Sequence, residues 1–169
     1  MRHSFLGLGP KDELLWTDER RAKRPEEKMM SEEKTVIVVD TGFVADDWDC
    51  GFRDLDTTPA NDCPQGIDLP SDTAPTALNG LTNAAMIRID FPAPTDGRGF
   101  TLAAQLRRLG FKGRLRARGH VLADQYAMAR RSGFDEVEIP ADLAARQPED
   151  QWLARADWKA HDYQARMRG

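Results

Sequence analysis

An α/β fold with a parallel β-α-β-α-β core is predicted by three observations. Short β-branched or apolar runs alternate with helix-periodic segments through the second half of the chain. The connections between them are short, and a glycine follows each helical stretch where the apolar period stops. Strands joined through helices run parallel and cross over right-handed, so these segments predict one sheet with helices packed against it.

Residues 84–91 (AAMIRIDF) predict the first core strand. Residues 101–109 predict a helix with Leu102, Leu106 and Leu109 on one face and Gly110 as its stop. Residues 113–119 predict the second strand. Residues 121–132 predict the second helix, striped by Leu122, Tyr126 and Ala129 and stopped by Gly133. Residues 135–139 predict the third strand. A C-terminal helix is expected over residues 148–166, with Pro148 at its first position and Glu149 and Asp150 in its first turn. Trp152 and Trp158 do not fall on one stripe, so only one of them is needed in the core.

Upstream of this core, TVIVVD over residues 35–40 predicts one more strand. Residues 41–81 are rich in Asp, Pro, Thr and Gly. They read as an irregular acidic region with short strands, one of them at residues 67–69. A loop this long implies hidden structure or a partner-binding role. Residues 1–34 are expected to form a flexible tail, with Pro25 breaking a charged, helix-compatible stretch and Met29 and Met30 as alternative starts. The expected organisation is therefore a tail and a single domain over residues 35–169.

A chain of 169 residues can bury a core without metal or disulfide staples. No apolar run approaches the roughly twenty residues a membrane helix needs, and no secretory leader is evident, so a cytoplasmic location without a membrane partner is expected. Cys50 and Cys63 show neither CxxC nor Cys/His ligand spacing, and no metal site is predicted. Their number permits a disulfide, but a reducing cytosol favours two free thiols.

The net charge of −4 conceals a segregation. Acids crowd the stretch between Asp40 and Asp96, against only Arg53 and Arg88. From Gly97 to Ala123 there is no acid at all, while Arg98, Arg107, Arg108, Lys112, Arg114, Arg116 and Arg118 fall there. Such a basic stretch is either a solvated face balanced by the acidic half or an anion site. Few aromatics interleave it and the chain is acidic overall, so nucleic acid is not an expected partner.

Three places hold residues suited to chemistry. The loop Thr95, Asp96, Gly97, Arg98, Gly99 follows a strand and opens a helix. At the carboxyl edge of a parallel sheet, helix-start amides and an arginine fork suit an anionic small molecule. The same residues also suit a plain capping turn. In the second strand Arg114, Arg116 and Arg118 alternate with apolar residues and share one face. Arg114 and Arg116 read as the solvent side of an edge strand, whereas Arg118 lies nearest the glycine loop. His120 sits at the next strand-to-helix junction, with Asp124 and Gln125 one turn on. The candidate anion-binding set is thus Asp96, Gly97, Arg98, Gly99, Arg118 and His120, supported by Thr95, Asp124 and Gln125. No catalytic triad, paired-carboxylate or cofactor fingerprint is readable, so the catalytic residues and any cofactor stay open.

Residues 91–139 carry FP-x-x-TDGRG (Phe91, Pro92, Thr95 to Gly99), L-R-A-x-G-x-V-L-x-DQ (Leu115 to Gln125) and R-x-GFD (Arg131, Gly133 to Asp135). In these phrases the chain resembles the DUF934 family of bacterial proteins. The resemblance implies an accessory role in assimilatory sulfite reduction, as an oxidoreductase or an electron-supply partner of the sulfite reductase hemoprotein. The alternative is a small enzyme or binding module for a phosphorylated or sulfated metabolite. Many members of the family carry Asp where this chain has His120, which argues against an obligate acid at that position.

Overall fold

The structure is a computed structural model that describes residues 34–58, 63–160 and 167. The tail expected over residues 1–34 lies outside the described residues except for Lys34. Seven strands form one sheet in the order β2-β1-β7-β6-β5-β4-β3. They are β1 (Thr35–Val39), β2 (Gly42–Val44), β3 (Phe52–Asp54), β4 (Gly66–Leu69), β5 (Met86–Phe91), β6 (Arg114–Gly119) and β7 (Glu136–Pro140). β3 to β7 run parallel in sequence order. β1 returns antiparallel against β7 and makes a hairpin with β2.

Sequential parallel order has a strong consequence. Right-handed crossovers that always step in the same direction place every connecting helix on the same face of the sheet. That face carries Ile67, Leu69, Ile87, Ile89, Phe91, Leu115, Ala117, Val137 and Ile139. The helices α1 (Arg98–Arg108) and α2 (Tyr126–Ser132) pack their buried residues into the same core, among them Leu102, Leu106, Tyr126 and Ala129. α3 (Ala141–Arg146) adds Leu143, and α4 (Glu149–Leu153) adds Trp152. Phe91, Phe100 and Phe134 meet edge to face at the carboxyl end of β5.

The predicted β-α-β-α-β core is present, with several corrections. α1 begins three residues earlier than the apolar period suggests, because Asp96 accepts the Arg98 backbone N–H at 3.1 Å and supports the first turn. Leu109 is exposed, and Phe111 fills the core position expected of it. The second helix is preceded by a 3-10 turn, Ala123–Gln125. Of the helix expected over residues 148–166, Glu149–Leu153 is helical and turns follow to residue 160; residues 161–166 lie outside the described residues. Trp152 is buried and Trp158 only half-buried.

The acidic region is more ordered than its composition suggests. β2, β3, β4 and a 3-10 segment, Pro75–Gly80, all lie within it, and β3 and β4 extend the parallel sheet. Cys50 and Cys63, expected as free thiols, are bonded, with their Cα atoms 5.6 Å apart. That separation lies within the usual disulfide span of about 4.4–6.8 Å. The expected edge strand bearing Arg114 and Arg116 is β6, the centre of the sheet.

Candidate functional site

Among the described residues no helix layer covers the second face of the sheet, and the strands present charge there. The register places Asp68, Arg88, Arg116 and Glu136 in one row across β4 to β7, and Asp90, Arg118 and Glu138 in the next. Opposite charges on adjacent strands attract, and in the first row the pairs are closed. Arg88 forks Asp68 at 2.6 and 2.7 Å and reaches Glu138 at 3.2 Å. Arg114 donates to Glu136 and to Asp47. Arg116 is 0% exposed. It donates to Glu136 at 2.5 Å, to Glu138 at 3.2 Å and to both carboxylate oxygens of Asp46 at 2.6 and 2.8 Å.

Burial alone disfavours the charge of Arg116. The Asp46 and Glu136 carboxylates reverse that and raise its pKa. The same contact, a hydrogen bond from Arg116, holds Asp46 below the usual carboxylate range against some desolvation. Asp46 and Asp47 come from residues 45–51, a strap between β2 and β3 that crosses the charged face. Within the strap the Trp48 indole N–H donates to Gly51 O at 2.9 Å, and Trp48 packs against Phe52. The Arg88 guanidinium stacks 3.6 Å from the Phe52 ring centre.

Arg118 differs from its neighbours. Its side chain is 45% exposed, and its closest carboxylate is Glu138 at 3.8 Å. Glu138 is already engaged by Arg88 and Arg116. Arg118 and His120 line a cavity of about 240 Å³ at the carboxyl ends of β5 to β7, together with Asp90, Glu138, Thr35 and Pro140. The turn into this cavity needs glycine. Gly119 has φ +109°, and a Cβ there would lie 2.5 Å from Phe91 O. The His120 backbone N–H donates to the same carbonyl at 2.9 Å.

The loop residues are placed differently. Arg98 forks its own neighbour, Asp96, at 3.0 and 2.8 Å and donates to the Ser71 hydroxyl at 3.2 Å. Ser71 in turn donates to Asp96 at 2.7 Å. The bonds from Arg98, then Ser71, keep Asp96 strongly acidic. Thus the helix start already holds a carboxylate, supplied by the chain itself. Gly97 is exposed. Gly99 is buried because its Cα packs under the Phe91 ring, where a Cβ would sit 2.4 Å from Cζ. Arg98 lines a separate groove of about 280 Å³ with Ser71, Thr101 and Gln105. The loop and the Arg118–His120 pair share the sheet edge but line different cavities.

The supporting residues divide in the same way. Gln125 accepts the Leu122 N–H at 3.0 Å and donates to Pro94 O at 2.7 Å, tying the two strand-to-helix junctions together. Thr95 is exposed. Asp124 pairs with Arg155 at 2.6 Å on the surface. The GFD phrase is a clamp: Arg107 donates to Gly133 O and to Asp135, which also accepts the Leu115 N–H. Among the described residues, no cluster of His, Cys, Asp and Glu is arranged to hold a metal ion. No described helix is long and apolar enough to cross a membrane.

Sequence reasoning missed Asp46, Asp68, Glu136 and Glu138. A signal for three of them exists: Asp68 in β4 and Glu136 and Glu138 in β7 alternate with apolar residues as the arginines of β6 do. Asp46 lies in an irregular segment 70 residues from Arg116, and no local pattern marks it.

No curated protein and no solved structure matches the chain significantly. The family model for the bacterial protein of unknown function DUF934 matches residues 66–169, which is β4 and all that follows it. That is well over half of the chain, and the protein belongs to the DUF934 family.

Proposed function

We propose that this chain is a cytoplasmic accessory protein of assimilatory sulfite reduction that holds a small oxyanion at the Arg118–His120 cavity and works beside the sulfite reductase hemoprotein. The observation that carries the anion reading is the state of Arg118. The three other arginines on its face are closed by ion pairs under 3 Å, while Arg118 has one contact at 3.8 Å and is half exposed at a cavity wall. Its spare donors are therefore directed at whatever occupies the cavity. The cavity suits an ion the size of sulfite, sulfate or a phosphate group. The link to sulfite rests on the family resemblance.

Each charge-assisted bond from Arg118 contributes about 1.5–3 kcal/mol. Asp90 faces Arg118 across one strand gap and opposes an anion. Together they set affinity in the micromolar to millimolar range. Such affinity suits exchange of a metabolite with a partner enzyme more than permanent cofactor retention.

The test is genetic. Deleting the gene in a strain without a second copy should slow growth on sulfate or sulfite, and cysteine or sulfide should restore it. The wild-type gene should complement and Arg118→Ala should not. Normal growth of the deletion strain on sulfite overturns the sulfite reading.

A further inference from the structure

We propose that residues 45–51 are a thiol-controlled strap. The Cys50–Cys63 bond locks it over Arg114 and Arg116, and reduction by a dithiol releases it and raises the anion affinity of the Arg118 cavity. This last step rests on the oxyanion reading above. The strap itself lies before the family match, which begins at Gly66.

Four observations converge on it. First, the strap has no strand or helix of its own, and its side chains at positions 46, 47 and 49 are exposed. Second, it is attached at few points. Asp46 and Asp47 reach the arginines, the Gly66 N–H donates to Gly51 O, and Cys50 is bonded to Cys63. Third, Arg116 is fully buried, and this segment covers it together with Phe52. Fourth, among the described residues the face carries four cations, Arg88, Arg114, Arg116 and Arg118, and seven acids, two of which, Asp46 and Asp47, are the strap's.

The coupling runs through contacts that share partners. Arg116 divides its donors between Asp46, Glu136 and Glu138. Glu138 is shared by Arg116, Arg88 and Arg118. When Asp46 leaves, Arg116 compensates by drawing on Glu138. Arg118 then loses the one carboxylate contact it has among the described residues, and the face loses two negative charges. Both changes make the Arg118 cavity more attractive to an anion.

The redox step balances with a dithiol as reductant. One thiolate attacks a cysteine sulfur, the Cys50–Cys63 bond breaks, and a mixed disulfide forms. The second thiol of the reductant resolves it. Cys50 and Cys63 gain two electrons and two protons, and the reductant leaves as its own disulfide.

The experiment uses the full chain, oxidised or treated with dithiothreitol. Hydrogen–deuterium exchange reads the strap, and titration with inorganic sulfate reads the cavity. Reduction should raise exchange in residues 45–51 by about tenfold or more, leaving β5 to β7 protected. Sulfate affinity should rise by about threefold or more. Cys50→Ser with Cys63→Ser should show both effects without reductant. Asp46→Asn should raise sulfate affinity with the disulfide intact. Unchanged exchange in residues 45–51 on reduction and in the double-serine variant overturns the strap. Faster exchange with unchanged sulfate affinity overturns the coupling. Faster exchange with no sulfate binding in any form supports the strap and overturns the oxyanion reading instead.

Discussion

The two faces of this sheet are built on opposite principles. On one, Ile87, Ile89, Leu115, Ala117 and Val137 share a water-excluding core with residues of the described helices. On the other, the intervening residues of the same strands are Arg88, Arg114, Arg116, Glu136 and Glu138, closed by pairing and by a seven-residue strap. The apolar face tolerates rearrangement, because dispersion and burial are non-directional. The charged face does not: Glu136 and Glu138 are buried and depend on the arginines that reach them. The difference follows from strand order, since sequential crossovers spend every helix on one side.

Arg116→Met tests this difference with the largest expected effect. It leaves the buried Glu136 with one of its two arginines and takes the buried partner from Asp46, and a loss of about 3–5 kcal/mol is expected in denaturant unfolding. Adding Glu136→Gln should recover a large part, as the uncompensated charge is removed. A single variant as stable as wild type would show that the ladder is not what holds this face. On the apolar side, Leu106→Ala should cost about 2–5 kcal/mol, and no polar second substitution should rescue it.

The strap residue Asp46 makes the charged face acid-sensitive. Arg116 holds its folded pKa below the unfolded value. Its contribution is therefore complete above the unfolded value of about 3.9 and is lost as pH falls through the lower folded value. Asp40, held below the ordinary range by Arg130 and Tyr126 despite partial desolvation, adds to the same trend. Melting temperature should fall below about pH 4, and Asp46→Asn should flatten that fall. An unchanged acid limb in Asp46→Asn would remove the strap from the account of this face.

Gln125→Ala breaks two hydrogen bonds that fix the loop after β5, and about 1–2 kcal/mol is expected. Arg118→Ala should change stability by no more than about 0.5 kcal/mol, because the side chain is half exposed and its one carboxylate is shared with two other arginines.

The β-α-β-α-β order was legible because it rests on local periodicity: Leu102 and Leu106 on one helix, Tyr126 and Ala129 on the next. β4 was legible at residues 67–69, but the three-residue β3 was not, because its strand character comes from pairing with β4 rather than from composition. The candidate residues at the β6 end were legible as an alternating face with His120 beyond it. What local pattern cannot show is which arginine is left over. That depends on Glu138 being shared three ways and on Asp46 arriving from the far side of the chain. The TDGRG phrase reads equally as an anion loop or as a cap, and only the fork between Arg98 and Asp96 separates the two.

We propose that the charged face leaves Arg118, and not Arg98, to meet an anion. Calorimetric titration of wild type, Arg118→Ala and Arg98→Ala with sulfate tests it directly. Arg118→Ala should weaken binding by about tenfold or more, as expected for one lost charge-assisted contact. Arg98→Ala should bind as wild type does, and Asp90→Asn should bind a few-fold more tightly as the opposing charge is removed. Binding lost in Arg98→Ala and retained in Arg118→Ala would contradict the account and move the site to the groove beside Ser71.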